Sequence, residues 1–178
     1  MKNKQQSIWT VPIRAEDVPE TGQRFALVAD EAIRHALAKL AGLRSLPRLE
    51  ANFDVARHGS GLRVVGQVSA TVEQTCVVTL EPMTNEVEEA IDLVYAPPAG
   101  TAATEAEVAE HAPDEGPEPL VEGLVDLGGL ATEFLLLGID PYPRRPDAVF
   151  AAPQTKETPG GAFAALAALK KDRGAGQG

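Results

Sequence analysis

The sequence predicts an α+β fold: a bent antiparallel β-sheet, half-barrel-like and of about five to seven strands, with two packed helices on one side. Residues 62–80 give the main indication, because apolar and polar side chains alternate there with the period of a half-buried strand. Two other segments, residues 22–41 and 127–137, carry the apolar pattern of helices. Strands and helices that occur in separate runs are typical of an α+β protein.

The bulk composition is that of a single globular domain with tails. The chain has 178 residues, 44% of them hydrophobic, and its single cysteine excludes an intramolecular disulfide. No apolar run has the length of a signal peptide or a membrane span, so we expect a cytoplasmic protein without membrane contact. A net charge of −10 and only 4% aromatic residues disfavour a nucleic-acid-binding surface.

The first helix is predicted over residues 22–41, after a short edge strand at residues 8–13. Apolar residues recur through the helical segment at intervals of three or four, which places them on one face. Thr21 is the expected N-cap, and Gly42 is the expected residue just beyond the C-terminus.

Antiparallel strands and turns are predicted next. In chain order they are a strand at 49–55, a turn at 58–61, the long strand at 62–80, a turn at 81–85 and a returning strand at 87–95. At about 3.3 Å per residue, a straight strand as long as the third element would exceed a small domain. We therefore expect it to bend near Gly66 or residues 73–74.

The second half of the chain combines an acidic loop with a second helix. Residues 99–143 hold ten acidic and no basic residues. The proline-rich part at about 96–119 is predicted to be a disordered loop. A short strand near residues 120–125 follows, and Asp126 is the expected N-cap of the helix over 127–137.

These segments predict one domain and a tail. Residues 1–150 are expected to form a single α+β domain, and residues 151–178 a flexible tail. A short amphipathic segment at 162–171 lies in the tail, and its Phe163 and Leu166 are candidate contacts for a partner groove.

Cys76 is open to three interpretations: a nucleophile, a metal ligand or a buried apolar side chain. A nucleophile needs a base, and His58 is the best one available, although no spacing supports the pair. A metal site needs further ligands at a suitable spacing, which the three histidines and one cysteine do not provide. Cys76 has the same parity as the apolar face of the long strand, which favours burial.

Charged residues are the other candidate binding groups. Arg144 and Arg145 are able to contact phosphate or an acidic group, or to pair with carboxylates of the chain itself. The acidic loop is able to attract a basic protein. Its candidate residues are Glu105, Glu107, Glu110, Asp114 and Glu115.

Three segments stand out for their order along the chain: TCVVTLEP at 75–82, VDLGGLATEFLLLGIDPYPRRP at 125–146 and AFAALAALKK at 162–171. Together they resemble the YceD family, the large ribosomal RNA subunit accumulation proteins, in its alphaproteobacterial type. The resemblance covers about residues 8–171 in element order.

The resemblance implies a bacterial, non-enzymatic ribosome biogenesis factor with no cofactor. Its partner would be a large-subunit ribosomal precursor, bound through RNA, or a basic ribosomal protein, bound through the acidic loop. The basic residues open to the first mode are Arg14, Arg44, Arg48, Arg57, Arg63, Arg144 and Arg145. Two alternatives stay open: a generic interaction module for a basic partner, and an enzyme that depends on Cys76.

One departure from the resemblance bears on metal binding. Many YceD members read C-x-x-C-L-E-P at this position and carry further cysteines later, a pattern that suggests zinc. This chain has Thr79 in place of the second cysteine and no later cysteine. One thiolate cannot form a four-ligand zinc site, so no metal is expected.

Overall fold

The computed structural model describes residues 7–97 and 116–150. They form a bent, unclosed sheet of five strands, a second sheet of two strands, and two helices, so the predicted α+β class is confirmed. The strands are β1 (Pro12–Arg14), β2 (Gln23–Val28), β3 (Ser45–His58), β4 (Gly61–Thr75), β5 (Pro82–Ala96), β6 (Glu118–Pro119) and β7 (Leu124–Asp126), and the helices are α1 (Glu31–Leu40) and α2 (Leu127–Gly138).

The larger sheet has the strand order β2-β3-β4-β5-β6. Its first four strands pair antiparallel, and β6 adds to β5 in parallel. The turn predicted at 58–61 joins β3 to β4. Gly61 is required there, because a Cβ atom would lie 1.8 Å from the carbonyl oxygen of Tyr95 on β5. The smaller sheet pairs β1 with β7.

Both helices pack against the same layer of apolar side chains. α1 lies mainly on β3, and α2 lies on β5, β4 and β1. Among the largest fully buried side chains are Phe53, Leu37, Leu49, Leu62, Ile91, Leu127 and Leu135. The other face of β2 to β5 carries the alternate residues of each strand, which are mostly exposed.

The helix predicted over 22–41 is wrong in its first half. That part of the chain forms strand β2, and α1 begins only at Glu31. Asp30 is the N-cap in place of Thr21, since its Oδ1 accepts a hydrogen bond from the Ile33 amide at 2.8 Å. The strand expected at 8–13 is the shorter β1.

The error has a simple physical cause. Phe25 and Leu27 are half-buried while their neighbours on β2 are exposed, which is the two-residue period of a strand. A short run of this kind directly before a helix places apolar residues at helical offsets as well. Periodicity alone does not separate the two structures over so few residues.

The strand predicted over 62–80 also ends early. β4 stops at Thr75, and the turn expected at 81–85 lies instead at residues 76–81, immediately before β5. Leu80 was expected on the inner face, but its side chain is 75% exposed and its φ is +60°. The register of β3 against β4 shifts opposite residues 71–73, next to the expected bend at 73–74.

The second helix is confirmed with its cap. Asp126 Oδ1 accepts hydrogen bonds from the amides of Gly128 and Gly129, at 3.2 and 3.1 Å, and α2 ends at Gly138. The same oxygen accepts a third bond from the Val11 amide at 2.7 Å. One carboxylate therefore starts the helix and attaches the segment that leads into β1.

Several sequence predictions fall outside the described residues. They are most of the acidic loop at 96–119, the amphipathic segment at 162–171 and the tail that contains it. The described residues up to Ala148 belong to one compact unit, and a second unit begins at Val149.

Candidate functional site

Two chain segments meet at one end of the five-stranded sheet: the turn at 76–81 and the loop after α2, residues 139–148. We call their meeting place the corner. The amide of Val77 in the turn donates to the carbonyl oxygen of Pro143 in the loop at 2.9 Å. Pro143 itself is buried, so this contact is the centre of the corner.

The turn is closed by its own backbone. The Cys76 amide donates to the Glu81 carbonyl oxygen, and the Leu80 amide donates to the Cys76 carbonyl oxygen, both at 2.9 Å. Leu80 adopts a left-handed conformation that leucine rarely takes, which costs on the order of 1 kcal/mol. The hydrogen bonds at both ends of the turn hold it in place.

A buried amide connects the sheet to the loop. Gln74 is only 8% exposed, and its Nε2 donates to the Asp140 carbonyl oxygen at 2.8 Å. Its Oε1 accepts a hydrogen bond from Asn85 Nδ2 on β5 at 2.9 Å. The sequence contains the signal for this contact, because Gln74 interrupts the apolar face of β4. The identity of its partner, Asp140, was not predicted.

Arg145 is an ion-pairing residue of the corner. Its Nη1 lies 2.9 Å from Glu81 Oε2, and its Nε and Nη2 bind the two carboxylate oxygens of Asp147. The hydrogen bond from Arg145 is the largest influence that lowers the pKa of Asp147. Arg145 thus pairs with carboxylates of the chain itself, one of the two roles left open by the sequence.

Arg144 is placed differently from its neighbour. Its side chain is exposed and lines an open cleft of about 260 Å³ between the corner and β5. The other lining residues are Gln74, Met83, Asn85, Glu86, Val87, Gly138 and Asp140. The cleft therefore combines one guanidinium with two carboxylates and two amides, a polar surface suited to hydrogen bonding and without a strong charge of either sign.

Cys76 lies fully buried beneath the turn. Hydrogen bonds to its sulfur lower the pKa to about 6, first from the backbone amide of Arg145 and then from the hydroxyl and amide of Thr79. Desolvation by burial acts in the opposite direction. The sequence correctly favoured burial. However, Cys76 is surrounded by N–H donors and lies outside the main hydrophobic cluster that β4 helps to form.

The structure separates Cys76 from the base that the sequence offered. His58 pairs with Gly61 at the opposite end of β4, so the whole length of that strand separates it from Cys76. In the described part of the chain, no group of three His, Cys, Asp or Glu residues is able to hold a metal ion. Among the described residues, the thiol of Cys76 thus has a lowered pKa but neither a histidine base nor a metal ligand set beside it.

The remaining predicted site residues cannot be placed in this geometry. Glu105, Glu107, Glu110, Asp114, Glu115, Phe163 and Leu166 lie outside the described residues. Of the binding candidates predicted from the sequence, the described structure contains Arg144 and Arg145. Neither helix in the described part of the chain has the length and apolar character that crossing a membrane needs.

Comparisons with known proteins identify a family. The family model described as "Large ribosomal RNA subunit accumulation protein YceD" matches residues 64–170. This match is more than half of the chain and contains most of β4 together with β5, the corner and α2. No curated protein and no solved structure matches the chain.

Proposed function

Because the chain belongs to the YceD family of large ribosomal RNA subunit accumulation proteins, we propose that it supports this accumulation by binding, without catalysing a reaction. The family assignment gives the process, ribosome biogenesis. The closed position of Cys76, far from His58, supports a binding role over an enzymatic one. The protein would act in the cytoplasm, where bacterial ribosomes are assembled.

Most of the arginines pair with oxygens of the chain itself. This is the observation that favours contact with a protein over contact with RNA. Five of the seven arginines considered for RNA binding direct their side chains at carboxylate or carbonyl oxygens of the chain. They are Arg14, Arg48, Arg57, Arg63 and Arg145. An RNA phosphate would have to displace these oxygens, and the net charge of −10 would oppose its approach.

The proposed partner is a basic protein of the large ribosomal subunit. The acidic loop supplies the attraction, since residues 96–119 carry six acidic and no basic residues. Its carboxylates would steer and hold a surface rich in lysine and arginine. Glu105, Glu107, Glu110, Asp114 and Glu115 are the residues proposed for this role.

A binding experiment with purified large-subunit ribosomal proteins tests the proposal. The acidic residues between positions 99 and 119 are changed to Ser or Gln, and a matched control keeps their composition but scrambles their order. We expect the neutral variant to lose at least tenfold in affinity for the captured protein and the scrambled control to retain it. Undiminished binding by the neutral variant would overturn the role of the loop.

A further inference from the structure

The face of β2 to β5 opposite the helices is called here the outer face. Its exposed side chains form three parallel rows that cross the four strands, because the registers place them directly opposite one another. The Asp54 row is Arg24, Asp54, Val65 and Asp92, the Asn52 row is Ala26, Asn52, Gln67 and Ala90, and the Glu50 row is Val28, Glu50, Ser69 and Glu88.

The Asn52 row is an uncharged strip between two charged rows. All four of its side chains are exposed, with an alanine at each end and two amides in the middle. The rows on either side are four residues apart along each strand, or about 13 Å at 3.3 Å per residue. An α-helix with its side chains is about 10–12 Å across, so this strip has the width of one helix.

The charges on both sides of the strip are mainly negative. Asp54 and Asp92 lie on one side, and Glu50 and Glu88 lie on the other. Glu88 makes no side-chain hydrogen bond or ion pair within the described part of the chain. Glu86 adds a fifth carboxylate one row further along β5, and Glu73 adds a sixth in the row after that, on β4.

The arginines of the outer face are already neutralised. Their nitrogens lie 2.7 or 2.8 Å from carboxylate oxygens, in the pairs Arg24–Asp54, Arg63–Asp92 and Arg48–Glu86. Six carboxylates and three guanidiniums give the outer face a net charge of −3. RNA phosphate would meet a net negative surface here, whereas lysine and arginine side chains would not.

The outer face is also concave at one end. A hollow of about 420 Å³ lies over β2, β3 and β4, where Gly22, Arg24, Asp54, Arg63 and Val65 line it. Val65 is 40% exposed and supplies an apolar contact beside the Arg24–Asp54 ion pair. The hollow lies beside the Asn52 row and offers room for side chains that extend from a helix on that row.

We propose that the outer face docks a basic helix of a large-subunit ribosomal protein along the Asn52 row. Lysine and arginine side chains of that helix pair with Glu88 on one side of the strip. They add to the contacts that Asp54, Asp92 and Glu50 already make with Arg24, Arg63 and Arg48, since each carboxylate oxygen accepts more than one hydrogen bond. The inference rests on the proposed function and adds a folded surface to the acidic loop. The loop attracts the partner, and the outer face sets its position.

Charge reversal on the outer face tests the inference. The variant Glu50→Lys/Glu88→Lys changes one half-buried and one exposed carboxylate of the same row, and Ala90→Arg blocks the end of the neutral strip. The matched control, Glu122→Lys/Glu133→Lys, makes the same charge change away from β2 to β5, on exposed positions before β7 and on α2. Urea unfolding establishes that each variant is folded before its affinity is measured.

The affinity is measured for the purified ribosomal protein that the wild-type chain binds, and separately for large-subunit ribosomal RNA. We expect both outer-face variants to bind the protein at least tenfold more weakly and the control to stay within about threefold. If the outer-face variants bind as the wild type does while the neutral-loop variant does not, the outer face is not the docking site and the proposed function stands.

Two other results are equally informative. If the wild-type chain binds none of the purified ribosomal proteins, the proposed function itself fails and the outer face loses its partner. If the lysine variant binds ribosomal RNA more tightly and the protein unchanged, the outer face does not carry the protein contact, and the docking inference is wrong.

Discussion

The guanidinium of Arg145 lies 2.9 Å from the carboxylate of Glu81, across 64 positions of sequence. The pair joins the loop after α2 to the turn after β4. Both side chains are more than one-third exposed, so solvent screens the attraction.

We therefore expect a small coupling energy between these two residues. In a double-mutant cycle of Arg145→Met and Glu81→Gln, urea unfolding should give a coupling below about 1 kcal/mol. The exposed pair Arg24 and Asp54 serves as a control of the same type. A coupling above about 2 kcal/mol would show that the corner excludes water from the pair.

The lowered pKa of Cys76 predicts that the free energy of unfolding depends on pH. Its pKa is about 6 in the folded chain against an ordinary value of 9.0, so the folded state favours the thiolate. The stabilisation is fully present above pH 9.0 and is lost as the pH falls through 6. The free energy of unfolding of wild type relative to Cys76→Ala should therefore rise between these two values and be flat below them.

Thr79→Val provides the control for that prediction. It removes the hydroxyl that hydrogen-bonds the sulfur but leaves the amides of Arg145 and Thr79 in place. The ultraviolet absorbance of the thiolate should then titrate at a higher pH than in the wild type. An unchanged titration would mean that the hydroxyl does not stabilise the thiolate.

Asp126 should be among the more sensitive positions of α2. Asp126→Ala removes an acceptor shared by the amides of Val11, Gly128 and Gly129, so we expect a loss of about 2 kcal/mol of unfolding free energy. Asp126→Asn keeps an acceptor oxygen and should cost less than half as much. Equal losses in the two variants would show that the negative charge matters more than the hydrogen bonds.

The beginning of α1 is tested by a second pair of substitutions. Asp30→Ala should cost about 1 kcal/mol, because Asp30 is the N-cap that binds the Ile33 amide. Thr21→Ala should cost less than about 0.5 kcal/mol, since Thr21 lies before β2 and caps no helix. The reverse order, measured by urea unfolding, would favour the helix that the sequence predicted.

Local signals predicted the parts of the fold that depend on neighbouring residues. Three features were predicted in this way: the helix cap at Asp126, the turn at 58–61, and the alternation along β4 and β5. Each depends on residues only a few positions apart. These are features that tertiary contacts did not change.

Distant contacts decided the parts that sequence analysis missed. The alternation of apolar and polar residues continues beyond Thr75, but the chain turns there. The Val77 amide donates a hydrogen bond to Pro143, which lies 66 positions away. The partners of Gln74 and Arg145 are equally distant in sequence. A single sequence shows that a buried amide or an arginine needs a partner, and it does not show which residue supplies it.

The contact that the chain makes on ribosomal precursors is the most direct test of whether it binds a ribosomal protein or RNA. The measurement is co-sedimentation with large-subunit precursors in a sucrose gradient, followed by crosslinking from photoreactive groups placed at Glu88 on the outer face and at Glu107 in the acidic loop. We expect both positions to crosslink mainly to a basic ribosomal protein. Crosslinks mainly to ribosomal RNA from both positions, or no co-sedimentation, would contradict it.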